Sequence, residues 1–276
     1  MELKTDTLSK AVFLDRPDIH EFLFHPRKAS GMQRDGRIEE IVIEVTDGAA
    51  IGCRLHLGAK EYPTLLFFHG NGEIAHDYDP VGPLYLSGGL NFVVADYRGY
   101  GISTGVPTIT SMLSDAYATL DHVIDLLDHK GHTGPLWIMG RSLGSAPAIE
   151  VAVNRQDAVS GLIVESGFAG VKDLLERLGI WPQDLHMDDD MLFSNADSIM
   201  KFKGPVLVIH AENDHIIPLA HGKQLYESAP GPGKAMKIIL GADHNNIFAL
   251  AGMKYFEYIK QFVYELPESG NSGRRS

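Results

Sequence analysis

Residues 136–147 read Leu-Trp-Ile-Met-Gly-Arg-Ser-Leu-Gly-Ser-Ala-Pro. Four apolar residues lead directly into Gly-x-Ser-x-Gly, and an alanine-rich segment that favours a helix follows without a gap. This order predicts a strand, a sharp turn that carries Ser142, and a helix, which is the arrangement of a nucleophile elbow. Glycine suits the positions two residues before and after the serine, because such a turn presses them against neighbouring backbone.

The same five-residue pattern occurs a second time, at 101–105 around Ser103. A polar, glycine-containing loop separates this second match from the preceding apolar run, and Val106-Pro107 after it is typical of a loop. The strand and helix that flank the first match therefore decide between the two. We interpret Ser142 as the nucleophile and Ser103 as a loop residue.

Composition restricts the classes of protein that the chain can represent. Its 276 residues, 44 % of them hydrophobic, suffice for one domain with a large core, and no apolar run reaches the length of a membrane span. The start of the chain lacks the pattern of a secretory signal, and the single cysteine, Cys53, excludes an intrachain disulfide. We therefore expect a cytoplasmic protein. The net charge of −12 argues against nucleic acid and anionic membranes as partners and favours a neutral or apolar small-molecule substrate.

Apolar runs of strand length alternate with helical patterns along most of the chain. The sequence predicts a hairpin at 37–57 and buried strands at 64–68, 91–95, 136–139, 161–164, 205–209 and 237–240. It predicts helical segments at 113–127, 145–155, 219–229 and 249–266. This alternation indicates an α/β fold with a mostly parallel sheet and helices on both faces.

The two ends of the chain carry weaker patterns. We expect residues 1–36 to form an N-terminal extension, irregular over its first 30 residues and anchored by Phe22, Phe24 and Pro26. Residues 268–276 are expected to be a disordered tail.

Residues that can carry chemistry follow the predicted strands. His-Gly-Asn-Gly-Glu at 69–73, Ser142, Asp214 and His244 each lie at or shortly after the carboxyl end of an apolar run. Open α/β sheets place their sites at that edge.

With these motifs the chain resembles the α/β-hydrolase superfamily over roughly residues 38–265. It is similar to the compact serine hydrolases that carry His-Gly-Asn-Gly, here 69–72, and Asp-Tyr-Arg-Gly-Tyr-Gly, here 96–101. The elbow, the segment that ends in Asp214 and the late Gly-x-x-His that ends in His244 follow in the family's order. One departure is Ala211, where the family usually has glycine.

The resemblance implies that Ser142, His244 and Asp214 are nucleophile, general base and acid. Serine needs a base within hydrogen-bond reach, and the acid fixes the tautomer of that base. Glu165, at the end of the preceding strand, is a rival for the role of acid. Asp243 is too close to His244 in sequence to meet its imidazole well.

The transition state also needs two hydrogen-bond donors for its oxyanion. The expected donors are the backbone N–H groups of Leu143 and Asn71. The flanking Gly70 and Gly72 let that backbone turn its N–H inward and are candidate substrate-binding residues. We interpret 96–101 as structural, and Glu73 as either a wall of the site or a solvated carboxylate.

The connection at 168–203 is long enough for a small helical cap over the site. Phe168, Met191 and Phe193 are its candidate substrate-binding residues. The acidic run at 188–190 is interpreted as a solvated face rather than a metal site, and no cofactor is expected.

These expectations favour a serine hydrolase that cleaves a carboxylic ester or thioester through an acyl-enzyme. A peptidase of the same fold and a non-catalytic binding module remain alternatives. The sequence does not indicate the oligomeric state.

Overall fold

In the computed structural model, which describes residues 5–29, 38–231 and 233–265, the apolar runs form one eight-stranded sheet. The strands are β1 Glu39–Glu44, β2 Ala50–His56, β3 Thr64–Phe68, β4 Asn91–Ala95, β5 Leu136–Arg141, β6 Gly161–Glu165, β7 Val206–Ala211 and β8 Lys234–Ile239. The helices are α1 Asp6–Leu14, α2 Pro17–Leu23, α3 Gly82–Ser87, α4 Ile109–Lys130, α5 Ser145–Asn154, α6 Val171–Arg177, α7 Asn195–Ile199, α8 Leu219–Ser228, α9 Ile247–Ala251 and α10 Met253–Glu265.

The strand order is β1-β2-β4-β3-β5-β6-β7-β8. β1 and β2 form a hairpin around Asp47 and Gly48, both with positive φ, and β2 also runs antiparallel to β4. All later pairings are parallel, so each needs a crossover, and the helices provide it. The predicted α/β class with a mostly parallel sheet is confirmed.

Side chains alternate between the two faces of the central strands and build two hydrophobic clusters. Leu66 and Ile138 pack on one face with α4, α5 and the N-terminal helices. Phe67 and Met139 pack on the other face with α3 and α10. Arg141 follows Met139 at the even spacing and therefore belongs to the face covered by α10.

The N-terminal segment differs from expectation, because residues 6–23 form α1 and α2 rather than irregular chain. The Thr5 hydroxyl caps α1, and the helix buries Leu8, Ala11 and Leu14. Phe24 is buried as predicted, but Phe22 is half exposed and Pro26 is exposed, so neither is an anchor.

The C-terminal helical segment also differs in detail. It consists of α9 and α10, because Gly252, with φ 55°, breaks the run. The last strand begins at Lys234, earlier than predicted. The predicted disordered tail at 268–276 lies outside the described residues.

Residues 168–203 contain α6, α7 and two 3₁₀ turns, Pro182–Leu185 and Asp189–Met191. Most of the segment's apolar side chains join the cluster on the α5 face. Asp188, Asp189 and Asp190 are exposed, and Lys172 pairs with Asp189 at 2.7 Å. Across the described ranges, no helix combines the length and apolar character needed to cross a membrane.

Candidate active site

The nucleophile elbow has the predicted order of strand, turn and helix. β5 ends at Arg141, a single 3₁₀ turn covers Ser142–Gly144, and α5 begins at Ser145. Ser142 has φ 52°, a left-handed conformation that costs a non-glycine residue roughly 1–3 kcal/mol and persists only where surrounding structure enforces it.

Two glycines supply that enforcement through backbone contact. A Cβ on Gly140 would lie 2.2 Å from the carbonyl oxygen of Gly144. A Cβ on Gly144 would lie 2.1 Å from the carbonyl oxygen of Phe68, at the end of β3. The helix start is therefore pressed directly onto the ends of β5 and β3, and only glycine fits at both places.

The structure brings Ser142, His244 and Asp214 into one hydrogen-bonded chain. His244 Nε2 lies 3.0 Å from Ser142 Oγ, and His244 Nδ1 lies 2.7 Å from Asp214 Oδ2. All three residues are buried. In this geometry the imidazole can accept the serine proton on one side while the carboxylate orients it from the other.

Asp214 also shapes its own loop. Its Oδ1 accepts hydrogen bonds from the backbone N–H groups of Ile216 at 3.1 Å and Ile217 at 2.7 Å. Burial alone would raise the pKa of Asp214, but the hydrogen bond and charge of His244, with the N–H of Ile217, hold that pKa below its usual value. The carboxylate is thus both the partner of the imidazole and the cap of the turn after it.

His210, at the end of β7, supports the same loop. Its Nε2 donates to the carbonyl oxygen of Ile217 at 2.8 Å, and burial lowers the pKa of its imidazole. Burial thus favours the neutral form of His210, and its hydrogen bond to Ile217 fixes the turn that carries Asp214.

The rival acids do not reach the base. Glu165 accepts hydrogen bonds from Arg141 and from the hydroxyl of Tyr255. Asp243 caps its own loop through the backbone N–H of Asn245. Neither carboxylate touches His244, so Asp214 is the acidic side chain in place.

His69 anchors the loop at 69–73 from a fully buried position. Its Nδ1 lies 2.8 Å from the carbonyl oxygen of Gly70, and its Nε2 lies 3.1 Å from Asp96 Oδ1. Both partners are hydrogen-bond acceptors, so these contacts favour the imidazolium form, in which both ring nitrogens carry protons. Burial alone would lower the pKa of His69, but the hydrogen bond and charge of Asp96 raise it above its usual value.

The side chain of Asn71 is fully engaged in holding the same loop. Its Oδ1 accepts from the hydroxyl of Tyr100 at 2.7 Å and from the backbone N–H of His25 at 2.9 Å. Its Nδ2 lies 3.2 Å from His25 Nδ1. The backbone N–H of Asn71 stays the expected oxyanion donor. Its pairing with the N–H of Leu143, at the first turn after the elbow, stays a prediction.

A buried ion cluster that the sequence did not indicate lies beside this loop. Arg141 Nε donates to Glu165 at 3.0 Å, Nη1 donates to Glu73, and Nη2 donates to the carbonyl oxygen of His244 at 2.7 Å. The only local signal was the position of Glu73 three residues after Gly70, whose N–H it accepts at 2.7 Å.

A cavity of about 180 Å³ adjoins this cluster. Its wall includes Glu73, Arg141 and Glu165, whereas the predicted substrate-binding side chains lie elsewhere. Phe168 and Phe193 are buried against each other, with ring centroids 6.3 Å apart, and Met191 is partly exposed. The substrate-binding role of these three residues stays a prediction.

Ser103, the serine of the second Gly-x-Ser-x-Gly, is fully buried. Its hydroxyl accepts the backbone N–H of Gly52 at 2.8 Å. It ties the loop after β4 to β2 and is not near a base. The loop at 96–101 is likewise structural, since Arg98 binds Asp115 on α4.

Comparison with known families gives a match over the central part of the chain. The family described as Serine aminopeptidase, S33, matches residues 60–187. This range contains the loop at 69–73 and the elbow but ends before Asp214 and His244.

Two curated relatives extend the similarity. Protein bem46 of Schizosaccharomyces pombe is 30 % identical over 236 residues, which cover 82 % of this chain and 77 % of that protein. The alpha/beta hydrolase domain-containing protein WAV2 of Arabidopsis thaliana is 33 % identical over 210 residues, which cover 69 % of this chain and 66 % of that protein. The chain thus spans just under two thirds of the length of WAV2.

Among solved structures, the fold is similar to that of the esterase Pf2001 of Pyrococcus furiosus. The TM-score is 0.70 at 16 % sequence identity, with 87 % of this chain and 98 % of that chain covered. At this identity the likeness concerns the fold.

The elbow contact predicts the effect of a single methyl group. We expect Gly144→Ala to lower the free energy of unfolding by about 1–3 kcal/mol, since the added Cβ overlaps the carbonyl of Phe68. Urea unfolding followed by circular dichroism measures the change. Gly170→Ala is the matched control, because its Cβ meets only Asp173 Oδ2 at 3.9 Å, and it should stay within about 0.5 kcal/mol of wild type. Equal stability of both variants would contradict the contact.

The His69 imidazolium predicts a pH dependence of stability. Because the folded protein holds this proton more tightly than the unfolded chain, the stabilisation is complete below about pH 6.5. It is lost as the pH rises through the raised pKa of His69. The melting temperature of wild type should therefore exceed that of His69→Gln most at low pH, and this difference in melting temperature should decrease as the pH rises. A gap that widens with pH would show that His69 is neutral.

Proposed function

The chain belongs to the α/β-hydrolase superfamily, and from that premise we propose that it is a serine hydrolase that cleaves a carboxylic ester or thioester. The observation that carries the proposal is the continuous hydrogen-bonded chain from Ser142 through His244 to Asp214. A hydroxyl, an imidazole and a carboxylate in that order form the machinery of acyl transfer.

In the proposed first half-reaction, Ser142 Oγ attacks the acyl carbon while His244 Nε2 takes the hydroxyl proton. Asp214 stabilises the imidazolium that forms. The backbone N–H groups of Leu143 and Asn71 receive the developing oxyanion, and a donor of this kind accounts for about a hundredfold or more in rate. His244 then protonates the departing alcohol or thiol, which leaves an acyl group on Ser142.

In the second half-reaction, His244 removes a proton from a water molecule, and the resulting hydroxide attacks the acyl-enzyme. Collapse of the second tetrahedral intermediate returns the proton to Ser142 and releases the acid. Every proton in the cycle passes through one imidazole nitrogen, so the 3.0 Å spacing of that nitrogen from Ser142 Oγ is the distance on which the reaction depends.

The proposed substrate is a small neutral or apolar ester. Gly70 and Gly72 add no side chains to the loop at 69–73, and Met191 supplies partly exposed apolar surface from residues 168–203, where Phe168 and Phe193 are buried. The esterase with a similar fold supports the choice of an ester. The net charge of −12 disfavours an anionic one.

Replacement of the nucleophile tests the proposal. We expect wild type to react with a fluorophosphonate probe and to hydrolyse p-nitrophenyl esters of short or medium chain. Ser142→Ala should lose the label entirely and lower kcat by about a thousandfold or more, because among the described residues Ser142 alone has a hydroxyl hydrogen-bonded to His244.

The second Gly-x-Ser-x-Gly supplies the matched control. Ser103→Ala removes a buried hydroxyl from the same motif and should keep both label and turnover, since that hydroxyl only binds Gly52. Full activity in Ser142→Ala would refute the assignment of Ser142 as the nucleophile. Absence of labelling in folded wild type, with ligand-induced thermal stabilisation instead, would favour a non-catalytic binding module.

An aminopeptidase is the second candidate, because the matching family is described by that activity and two carboxylates line the cavity by the site. A free peptide amine needs such an acceptor. Glu73 and Glu165, however, are both already paired with Arg141, so neither is available to a substrate cation without rearrangement.

Parallel assays separate the two candidates. We expect kcat/KM for p-nitrophenyl esters to exceed that for aminoacyl p-nitroanilides with a free amine, and N-acetylation of the anilides to change little. Preferred cleavage of the free-amine anilides, abolished by N-acetylation, would instead identify an aminopeptidase.

A further inference from the structure

We propose that Arg141 is a positioning residue, whose guanidinium holds the general base, the nucleophile and the oxyanion loop in register. The inference rests on the proposed hydrolase function. Arg141 is the first variable residue of the Gly-x-Ser-x-Gly motif, and the motif by itself indicates no role for that position.

Arg141 occupies the last position of β5, directly before Ser142. Its side chain leaves the sheet on the face covered by α10, away from the core cluster of α5. Because β5 fixes the Cα of Arg141, the three guanidinium nitrogens lie at fixed distances from Ser142. The side chain of Arg141 is only 12 % exposed.

The first contact reaches the general base. Arg141 Nη2 donates to the backbone carbonyl oxygen of His244 at 2.7 Å. This hydrogen bond sets the main chain of His244 relative to the elbow, and the imidazole position follows from the main chain. A displacement of about 1 Å at a reacting group can cost about a hundredfold in rate.

The second contact reaches the oxyanion loop. Arg141 Nη1 binds one oxygen of Glu73, and the other oxygen accepts the N–H of Gly70 at 2.7 Å and the hydroxyl of Tyr78 at 2.6 Å. Gly70 immediately precedes Asn71, the expected donor. The loop is therefore tied to the elbow through a single carboxylate.

The third contact keeps the guanidinium in place. Arg141 Nε donates to Glu165 Oε1 at 3.0 Å, and the other oxygen of Glu165 accepts the hydroxyl of Tyr255 on α10. With both carboxylates and one carbonyl bound, every side of the planar fork has a partner. Lysine, a single ammonium, cannot reach all three.

Burial of such a cluster argues for position rather than for stability. Removing a guanidinium and two carboxylates from water carries a desolvation cost that their attraction often fails to exceed, and well-packed apolar residues commonly do as well. An apolar residue cannot, however, replace the guanidinium in positioning its neighbours, because it donates no hydrogen bonds in fixed directions.

The experiment measures kcat and KM of Arg141→Ala and Arg141→Lys with the p-nitrophenyl ester on which wild type is active. We expect kcat to fall by about a hundredfold in the alanine variant, with a smaller fall in the lysine variant and little change in KM. Arg54→Ala is the matched control, because Arg54, in β2, is also buried and also binds two carboxylates, those of Asp79 and Glu40. It should lose stability but keep kcat.

Rescue adds a readout that a purely structural role would not give. Arg141 lines the cavity of about 180 Å³, so guanidinium ion can enter the space that the alanine variant leaves. Guanidinium chloride at concentrations below unfolding should raise kcat of Arg141→Ala, whereas urea at the same concentrations should not, and neither should raise kcat of Arg54→Ala.

Each outcome decides the inference. Unchanged kcat in a folded Arg141→Lys and Arg141→Ala overturns it, as does an equal loss of kcat in Arg54→Ala. If the alanine variant fails to fold, the lysine variant decides: lost kcat at an unchanged melting temperature supports the role, and full kcat refutes it. Absence of turnover and of probe labelling in wild type would refute the hydrolase itself and is thus a separate result.

Discussion

The contact between Gly144 and the carbonyl of Phe68 is the constraint from which the site is built. It presses the start of α5 onto the end of β3, so the chain leaving β5 has room for only one sharp turn. Ser142 must then take a left-handed conformation, and its hydroxyl projects at the edge of the sheet. With Ser142 held in this way, the loops after β7 and β8 place Asp214 and His244 beside it at the same edge of the sheet.

Much of this arrangement could be predicted because its causes are local. Strands buried on both faces read as continuous apolar runs, and parallel strands bring the residues that follow them to one edge. Ser142, Asp214 and His244 each follow such a run, which is why position in the chain selected them among many serines and 13 histidines. For the acid, the sequence favoured Asp214 and left Glu165 as a rival; of these two carboxylates, the structure places only Asp214 in contact with His244.

The parts that escaped prediction depend on contacts between distant segments. Arg141 contacts Glu73, Glu165 and the carbonyl of His244, which belong to two loops and the end of β6, and no periodicity in the sequence indicates these contacts. The N-terminal helices were missed for a different reason. They are short, and most of the stability of such helices comes from the surface they cover rather than from their own sequence.

The histidines around Ser142 differ in their hydrogen-bond partners. Against the effect of burial, Asp96 raises the pKa of His69, whereas burial lowers the pKa of His210, whose Nε2 donates to the carbonyl oxygen of Ile217. Asp214 Oδ2 lies 3.6 Å from His210 but 2.7 Å from His244. The negative charge of Asp214 is therefore directed at His244. In the proposed reaction this charge stabilises the imidazolium that His244 forms when it takes the proton of Ser142.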